Sequence, residues 1–458
     1  MHFNQYRIIY EALPIHIKRL AGWIPKSWIF GKSYRQTLKR GKYFENATRD
    51  EILAFQANKL NEVLEFVTDQ VPAYKSLRSV VSRFDSLDAL NDFPVIEKEH
   101  LQENIQMYLP RDFNKIPHYP LTTGGTSGQQ LKFYVDGNSQ LVENAFQHRL
   151  WKRVGYSPSH RRATFRGVSF SNLKPGEYWQ ENPIYNEIQF SPFHMSEINL
   201  YKYVNKIRDY HPQFLYGYPS AIDMLAEFVL RNDLKSQMPK IKAALLISEG
   251  VNVGQRRRIE QAFNTRAFSF YGHSERVVMA GECEVNSTYH HFPDYGFLEI
   301  IDEDGNITQS PGHRGEIVGT GFLNRSLPLI RYRTGDYATR NEYHCNCGRC
   351  WDRFSDVEGH RNLDMLVGVN GARISTTALN MHGPMFRKVI RYQYSQKVKG
   401  KFELRLMVSP DFSEEDKQIL YKAYIAKIGS ELSLSIKTVE DIPLTARGKI
   451  KLVDSSLV

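Results

Sequence analysis

The stretch LTTGGTSGQQLKFYVD, residues 121–136, joins a turn of small, hydroxyl-bearing residues to a strand in which apolar and polar residues alternate. Glycines let the backbone of such a turn curl until several N–H groups point at one spot, and the hydroxyls add further donors. An anion suits this arrangement, and a nucleotide polyphosphate suits it best. An ordinary hairpin loop uses the same residue types and is the alternative. The residues concerned are Thr122, Thr123, Gly124, Gly125, Thr126, Ser127 and Gly128.

Length and composition indicate a globular protein with a large core. The chain has 458 residues, of which 41% are hydrophobic, so about two to four domains are expected. No run approaches the roughly 18 apolar residues of a membrane span, and the N-terminus lacks the apolar core of a signal peptide. Four cysteines are too few for a disulfide framework in a chain of this size, so we expect a cytoplasmic location.

The net charge of +10 is concentrated at the N-terminus. Residues 1–42 contain nine Lys or Arg and a single acidic residue, Glu11, whereas the remaining chain is nearly neutral. This basic segment is also aromatic and amphipathic, so it can lie on the inner face of an anionic membrane. The alternative is that its apolar side packs on the protein body. A nucleic-acid partner is not expected, because no recognition motif accompanies the charge.

Apolar periodicity predicts an α/β body that becomes richer in strands towards the middle of the chain. Helices are predicted at 49–69, 139–153, 200–209 and 219–231. Strands are predicted at 213–216, 242–247, 267–271, 296–302 and 314–319. Near residue 364 the pattern restarts and predicts a small α+β domain. Its predicted elements are helices near 375–388 and at 413–429, and strands at 389–396, 402–408 and 433–439.

Further stretches follow the glycine-rich turn in a definite order. They are YGYPS at 216–220 with LLISEG at 245–250, FYGHSE at 270–275, PLIRYRTGD at 328–336, and EGHRNLDMLVGVNG at 358–371 with PLTARGKIK at 443–451. Each is weak alone, but their order and spacing together are specific. With them the sequence resembles the adenylate-forming acyl/aryl-CoA ligase superfamily. Within it, the sequence resembles the phenylacetate–CoA ligase-like branch, which includes CapK-type proteins of capsule and surface-polysaccharide gene clusters.

The resemblance extends from about residue 45 to the end and implies a domain organisation. Residues 1–44 would be a basic amphipathic segment. Residues 45–362 would form a large adenylate-forming domain of α/β sheets with a β-rich subdomain. Residues 363–458 would form a small, mobile α+β domain that swings about Leu363–Asp364.

The resemblance also implies one ATP site assembled from these motifs. The turn at 122–128 would hold the β- and γ-phosphates, and Ser248–Gly250 would lie along the adenine. Tyr271 would stack on the purine, and Asp336 would accept both ribose hydroxyls, because a carboxylate has two oxygens for two donors. The nucleotide-binding residues implied outside the turn are Ser248, Glu249, Gly250, Tyr271, Gly272, Ser274, Asp336 and Arg361.

Three residues are implied to take part in the chemistry. Glu275 would hold Mg²⁺, which prefers hard oxygen ligands. His273 lies where the chain faces the acyl pocket. Lys449 would bridge the attacking carboxylate and the α-phosphate, where two anions meet and a cation is needed.

The sequence departs from the family pattern in two places. Gln129 stands where many members have lysine, so the phosphate charge must be met elsewhere, by Lys132 or by Mg²⁺. In the hinge, His360 and Leu363 replace a glycine and an aspartate. These departures keep open the alternative of a degenerate, non-catalytic family member.

The cysteines form a compact group, HCNCGRC at 344–350, with Cys283 about sixty residues earlier. A C-x-C pair with a distant Cys and His suits tetrahedral zinc, and free thiols are the alternative. The resemblance extends to a structural metal site of this branch and favours His290 as the fourth ligand. The expected set is therefore Cys283, His290, Cys345 and Cys347, with Cys350 and His291 as further candidates.

The implied function is activation of a carboxylic acid by ATP to an acyl-adenylate, with release of pyrophosphate, followed by acyl transfer. CoA is the expected acceptor, and an amine, for example on an amino sugar in polysaccharide biosynthesis, is the alternative. The acid is expected to lie near Tyr216–Tyr218, His273 and the region 148–193. The aromatic content of these segments is compatible with an aryl acid without requiring one.

Overall fold

A computed structural model describes most of the chain. The described residues are 10, 13–21, 29–81, 87–122, 131–167, 170, 176–303, 305–308, 310–359, 365–369, 371–379, 381, 384–386, 388–429, 432–443 and 452–457.

The α-helices begin largely where the sequence provides a start signal. At α3, the Oγ1 atom of Thr48 accepts a hydrogen bond from the N–H of Glu51, whose carboxylate in turn accepts from the N–H of Thr48. Pro219 occupies the first turn of α9, where a missing N–H costs nothing. The helices are α1 (Ile15–Ala21), α2 (Gly31–Phe44), α3 (Arg49–Gln70), α4 (Arg78–Val81), α5 (Lys98–Glu103), α6 (Ile105–Tyr108), α7 (Ser139–Lys152), α8 (Glu197–Tyr210), α9 (Pro219–Arg231), α10 (Val253–Phe263), α11 (Thr376–Leu379) and α12 (Glu414–Ile428).

The strands are short in the first half of the chain and longer in the second. They are β1 (His118–Thr122), β2 (Lys132–Asp136), β3 (Arg162–Phe165), β4 (Trp179–Asn182), β5 (Glu187–Phe190), β6 (Phe214–Gly217), β7 (Ala243–Leu246), β8 (Arg266–Gly272), β9 (Met279–Gly281), β10 (Tyr289–His291), β11 (Gly296–Ile301), β12 (Arg314–Gly321), β13 (Tyr332–Asn341), β14 (Arg353–Glu358), β15 (Met365–Val367), β16 (Arg373–Ser375), β17 (Val389–Val398), β18 (Lys401–Val408), β19 (Ser433–Thr438) and β20 (Val453–Ser455).

The largest sheet of the described residues has twelve strands in the order β11-β12-β13-β14-β10-β9-β8-β7-β6-β3-β5-β4. Strands β5, β3, β6, β7 and β8 are parallel, and the remaining neighbours pair antiparallel. Strand β8 joins the two halves, because Arg266–Ser269 pair with β7 and Phe270–Gly272 pair with β9. Crossover helices cover parallel strands on both faces, which is why β3, β6 and β7 are buried at every position.

The apolar core follows the same division. One cluster lies around the parallel strands and their helices and continues into the C-terminal sheet; it includes Phe165, Leu245 and Leu404. A second cluster packs α3 against the antiparallel half and includes Leu60 and Ile300. The C-terminal sheet has the order β19-β18-β17-β20, with β17 and β18 antiparallel at its centre.

The predicted α/β fold class is confirmed, and most predicted elements lie within a few residues of those observed. The predicted helix near 375–388 is wrong in length: α11 ends at Leu379, and a short 3₁₀ helix covers Pro384–Phe386. Pro384 interrupts the helical pattern, because proline lacks an N–H and its ring clashes with the preceding turn.

The described part of the basic N-terminal segment packs on the protein body. Phe30 and Tyr34 are buried, and the Tyr34 hydroxyl lies 2.7 Å from Nδ1 of His148. The Tyr10 hydroxyl donates to Oδ1 of Asn182 at 3.0 Å. The alternative of packing on the body is therefore the one observed for these residues. None of the described helices combines the length and the apolar character that a membrane crossing requires.

Candidate active site

The carboxyl ends of the parallel strands open on a cleft of about 2520 Å³. Strands β3 and β6 approach closely here, since a Cβ on Gly217 would lie 2.1 Å from the carbonyl oxygen of Phe165. Ligands of α/β proteins bind at this edge of the sheet. The described residues among those predicted for the nucleotide and catalytic site all line the cleft: Thr122, Ser248, Glu249, Gly250, Tyr271, Gly272, His273, Ser274, Glu275 and Asp336. Residues Thr123 to Gly128, Arg361 and Lys449 lie outside the described residues.

Tyr271 and Asp336 are directly linked. Tyr271 stands in β8, Asp336 stands in β13, and the Tyr271 hydroxyl donates to Oδ2 of Asp336 at 2.9 Å. The backbone N–H of Asp336 donates to the Thr334 hydroxyl at 3.2 Å. Burial raises the pKa of the Tyr271 phenol, and the negative charge of Asp336 adds to this shift. Tyr271 is therefore a neutral donor that fixes the orientation of the carboxylate.

Glu275 lies on the same side of the cleft. The Tyr332 hydroxyl donates to Oε1 of Glu275 at 2.9 Å. Among the contacts of described residues, the second carboxylate oxygen accepts no hydrogen bond, so Glu275 keeps capacity for a hard cation. His273 also lines the cleft, and neither of its buried ring nitrogens has a hydrogen-bond partner among the described residues.

Lys98, at the start of α5, is a cation of the site that the sequence reasoning missed. It lines the cleft, burial lowers its pKa, and the charges of Glu275 and Glu99 partly oppose that shift. Two backbone hydrogen bonds hold the segment before Lys98 against β13 and its preceding loop. The N–H of Ile96 donates to the Arg331 carbonyl at 2.9 Å, and the N–H of Arg333 donates to the Ile96 carbonyl at 3.0 Å. No local pattern signals a contact between segments so distant in the chain.

Lys132, expected as one substitute for the missing lysine, is the cross-strand partner of Thr122, and its role stays a prediction. Its side chain is exposed on β2 and is not among the residues that line the cleft. Side chains alternate between the two faces of a strand, and Phe133, the next residue, is the one that faces the core. Lys98 is therefore the better-placed cation.

The charged residues of PLIRYRTGD build the support for Asp336. Arg331 is buried, with its Nη2 atom 2.9 Å from Oε1 of Glu299, and it donates to the carbonyl of Phe93 at 3.0 Å. Nε of Arg333 donates to Oε2 of Glu316 at 2.8 Å, and Oε1 of Glu316 accepts from the N–H of Gly335 at 3.0 Å. These arginines therefore hold the turn that precedes Asp336.

The predicted cysteine and histidine set comes together beside the antiparallel half of the large sheet. Cys283, His290, Cys345 and Cys347 each place a ligand atom within 4.8 Å of the others. The Sγ atoms of Cys283 and Cys345 are 3.8 Å apart, and Sγ of Cys347 is 3.5 Å from Nε2 of His290. Neither Cys350 nor His291 belongs to this cluster.

The surroundings of the cluster match those of a thiolate metal site. Nδ1 of His290 lies 3.2 Å from the Thr288 carbonyl, which fixes the tautomer and leaves Nε2 facing Cys347. The backbone N–H of Val285 donates to Sγ of Cys283 at 3.4 Å. Burial lowers the pKa of His290 to about 3, so the ring is neutral, as a metal ligand must be.

Comparison with known proteins connects this geometry to a family. Residues 366–456 match the family model of the CapK C-terminal domain. Protein CapK of Staphylococcus aureus is 23% identical over 465 residues, which cover 98% of this chain and 97% of that protein. The phenylacetate-coenzyme A ligase of Thermus thermophilus is 24% identical over 81% of this chain and 84% of its own length. The chain is therefore similar to CapK along nearly its whole length and to phenylacetate-coenzyme A ligases along most of it, and residues 366–456 match the CapK C-terminal domain.

A solved structure has a similar fold. The crystal structure of 2-hydroxyisobutyryl-CoA ligase in complex with 2-HIB-AMP and CoA is 18% identical, with a TM-score of 0.58. It covers 91% of this chain and 92% of its own chain. At this identity the likeness shows the adenylate-forming ligase fold. The substrate named for that enzyme is not assigned to this chain.

The Arg331–Glu299 pair generates the first prediction. We expect Arg331→Met to lower the free energy of unfolding by about 3–5 kcal/mol, because it leaves Glu299 as an uncompensated buried charge. Arg331→Met with Glu299→Leu should recover most of the loss. Denaturant unfolding measures both. Arg231→Gln is the control, since Arg231 and its partner Glu197 are both exposed and the loss of this pair should cost only about 0–1 kcal/mol. A double variant no more stable than the single one would contradict this account.

Proposed function

We propose that the protein uses ATP to convert a carboxylic acid to an acyl-adenylate, releasing pyrophosphate, and then transfers the acyl group to the thiol of CoA, releasing AMP. The observation that carries this proposal is the convergence of Tyr271, Glu275 and Asp336 on one cleft, from strands β8 and β13. The relatives named as CoA ligases support the same overall reaction. A carboxylate fixed by a phenol is suited to two hydroxyl donors, such as those of a ribose.

Within this proposal, each part of the cleft meets one part of ATP. Asp336 accepts hydrogen bonds from the ribose hydroxyls, and Arg361 donates to the ribose oxygens. Ser248, Glu249 and Gly250 border the adenine. The turn at 122–128 holds the phosphates. Its end at Thr122, on the cleft wall, supports that role.

Positive charge for the phosphates comes from Lys98 and from Mg²⁺ held by Glu275. Lys98 lines the cleft near Glu275, and this supports it as the replacement for the lysine that Gln129 lacks. A bound Mg²⁺ would neutralise phosphate charge as pyrophosphate leaves. The lowered pKa of Lys98 means that an anionic ligand would favour its charged form.

The second step requires that Lys449 leave the site. We infer that residues 363–458 rotate about Leu363–Asp364, so that Lys449 serves adenylation only. The C-terminal sheet and α12 support this part of the chain as a separate unit. Hinged closure of this kind gates many two-step enzymes.

The cysteine cluster is proposed to hold structural zinc. Three thiolates and one imidazole form a closed tetrahedral set with no position left for a substrate. The cluster joins β10 to the loop that carries Cys345 and Cys347, close to β13 and β14. Zinc would therefore brace the antiparallel half that carries Asp336.

Pyrophosphate release with ATP and a panel of carboxylic acids tests the proposed function. We expect release with at least one acid, and product analysis with CoA and with amines identifies the acceptor. Asp336→Asn should raise the KM for ATP about tenfold or more, because a charged acceptor is lost. Asp209→Asn, on the exposed side of α8, is the control. No release from any acid by the folded protein would contradict catalysis and support the non-catalytic alternative.

Lys449→Ala separates the two half-reactions. Adenylate formation should fall by about 10²–10³ or more, since a charge that stabilises the transition state is removed. Transfer from a supplied acyl-adenylate to CoA should be retained. Lys451→Ala, two residues away, should affect neither step. Equal loss of both half-reactions in Lys449→Ala would contradict the rotation.

Metal analysis tests the zinc proposal. The purified protein should contain about one zinc ion per chain, and Cys345→Ser should lose it together with thermal stability. Cys350→Ser is the matched control, because Cys350 lies outside the cluster. Cobalt substitution should give a thiolate charge-transfer band in the wild type and in Cys350→Ser only. Equal metal content in Cys345→Ser and Cys350→Ser would contradict the assignment.

A further inference from the structure

The far end of the cleft contains an arginine to which the proposed chemistry assigns no role. Arg166 directly follows β3, at the carboxyl edge of the parallel strands, and lines the cleft. Its Nη1 atom donates to the hydroxyl of Tyr216 at 3.1 Å, and its guanidinium lies 5.6 Å from the centre of that ring. The side chain is partly exposed to the cleft. A guanidinium has five N–H donors, and the Tyr216 hydroxyl is the one acceptor for this group among the hydrogen bonds of the described residues.

The neighbouring charges cancel one another without Arg166. Nε of Arg162 donates to Oε2 of Glu187 at 2.8 Å, and Oε2 also accepts from the Thr164 hydroxyl at 2.8 Å. Oε1 of Glu187 accepts from Asn182 at 3.1 Å and from Gln189 at 2.7 Å. The Glu187 carboxylate is therefore saturated and already paired.

Arg166 consequently contributes a net positive charge to this end of the cleft. No carboxylate of a described residue forms an ion pair with it. The nearby His148 does not alter the balance, because burial lowers its pKa to about 3 and keeps it neutral. A cation in a polar, partly desolvated pocket with spare donors is suited to a bidentate anion such as a carboxylate.

The position of Arg166 separates it from the reacting end of the acid. In the sheet, β6 and β7 lie between β3 and β8, the strand that leads to His273 and Glu275. Three strand spacings of about 4.8 Å place the ends of β3 and β8 on the order of 14 Å apart. Arg166 therefore faces the far end of an acid whose carboxylate reacts beside β8.

We propose that the acid substrate carries a second anionic group, and that Arg166 binds this group. In the simplest case the substrate class is an α,ω-dicarboxylic acid, of which one carboxylate is activated and the other is held by Arg166. The identity of the ligand as an acid rests on the proposed adenylation. Amide side chains on the same wall, Gln180 and Gln189, are hydrogen-bonded at 2.8 Å and give this end of the pocket a polar surface.

Matched substrates and variants test the inference. The probes are the linear dicarboxylic acids from succinate to suberate and their monomethyl esters, which keep the length and remove one charge. The wild type should prefer a diacid to its ester in kcat/KM. Arg166→Gln should lose roughly 10- to 100-fold on the diacid, the worth of a charged hydrogen-bonded pair, with no change on the ester. Arg166→Lys should restore part of the loss. Arg161→Gln, on an exposed residue outside the cleft, is the control.

The readouts separate this inference from the proposed function. The KM for ATP and the KM for CoA should not change in Arg166→Gln, and a rise in either would overturn the assignment to the acid. A wild-type preference for the monomethyl esters over the diacids would overturn the proposed second anionic group, even if Arg166→Gln and Arg166→Lys both failed to fold. Calorimetry of diacid binding in the presence of AMP is independent of turnover. Diacid binding that depends on Arg166, without pyrophosphate release from any acid, would support the anion site and contradict adenylation.

Discussion

Strand β8 pairs parallel with β7 over its first part and antiparallel with β9 over its last part. The position of the cleft residues depends on this change of pairing. The first four residues of β8 extend the parallel half of the large sheet, and its last three begin the antiparallel half. At that junction the strand presents Tyr271 and delivers His273 and Glu275 to the edge where the other parallel strands end. The antiparallel strands then return the chain so that Asp336 meets Tyr271. One strand with two partners of opposite direction thus brings together residues that are 65 positions apart in sequence.

The buried charged and polar groups fall into two classes, according to whether their hydrogen bonds and ion pairs are complete. Arg331 with Glu299 and Arg162 with Glu187 are mutually neutralised, and their remaining polar atoms largely have protein partners. Such pairs hold segments together, because a buried charge without its partner is costly. Arg166 and His273, in contrast, line the cleft and have donors or acceptors with no partner in the part of the chain that the structure describes. Leaving polar groups without hydrogen-bond partners costs free energy, and a bound ligand can remove that cost by supplying the partners. Incompletely bonded groups of this kind are therefore candidate ligand contacts, whereas fully bonded pairs are structural.

Local patterns in the sequence were sufficient to predict most of the fold. The described nucleotide and catalytic residues that the motifs predicted all line the cleft. The apolar runs of β6, β7 and β8 and the capped start of α3 are encoded within a few residues, so their positions follow from periodicity and turn chemistry. The metal cluster was predictable because ligand type and spacing restrict the choice. Lys98 was not predicted, because its segment is positioned by backbone hydrogen bonds between Ile96 and the distant residues Arg331 and Arg333. Arg166 lies within the region 148–193 that was expected near the acid, but it was not singled out, because its contact is with Tyr216 on β6. The wall that Tyr10 and Phe30 add to the cleft is a contact of the same long-range kind.

Different interactions fix the two ends of the cleft: backbone pairing at the end near β8, and side-chain contacts at the end near β3. At the end near β8, backbone pairing fixes Tyr271 and Asp336 relative to each other, so a chain that keeps the sheet keeps this arrangement. At the end near β3, Arg166 stands after the last paired residue, and its side chain contributes nothing to the ladder. A change at that position alters the charge of the pocket while the sheet is unaffected. If the proposed function holds, the fold would specify the nucleotide half of the chemistry and side chains such as Arg166 would specify the acid, so the acids named for the relatives do not transfer to this chain.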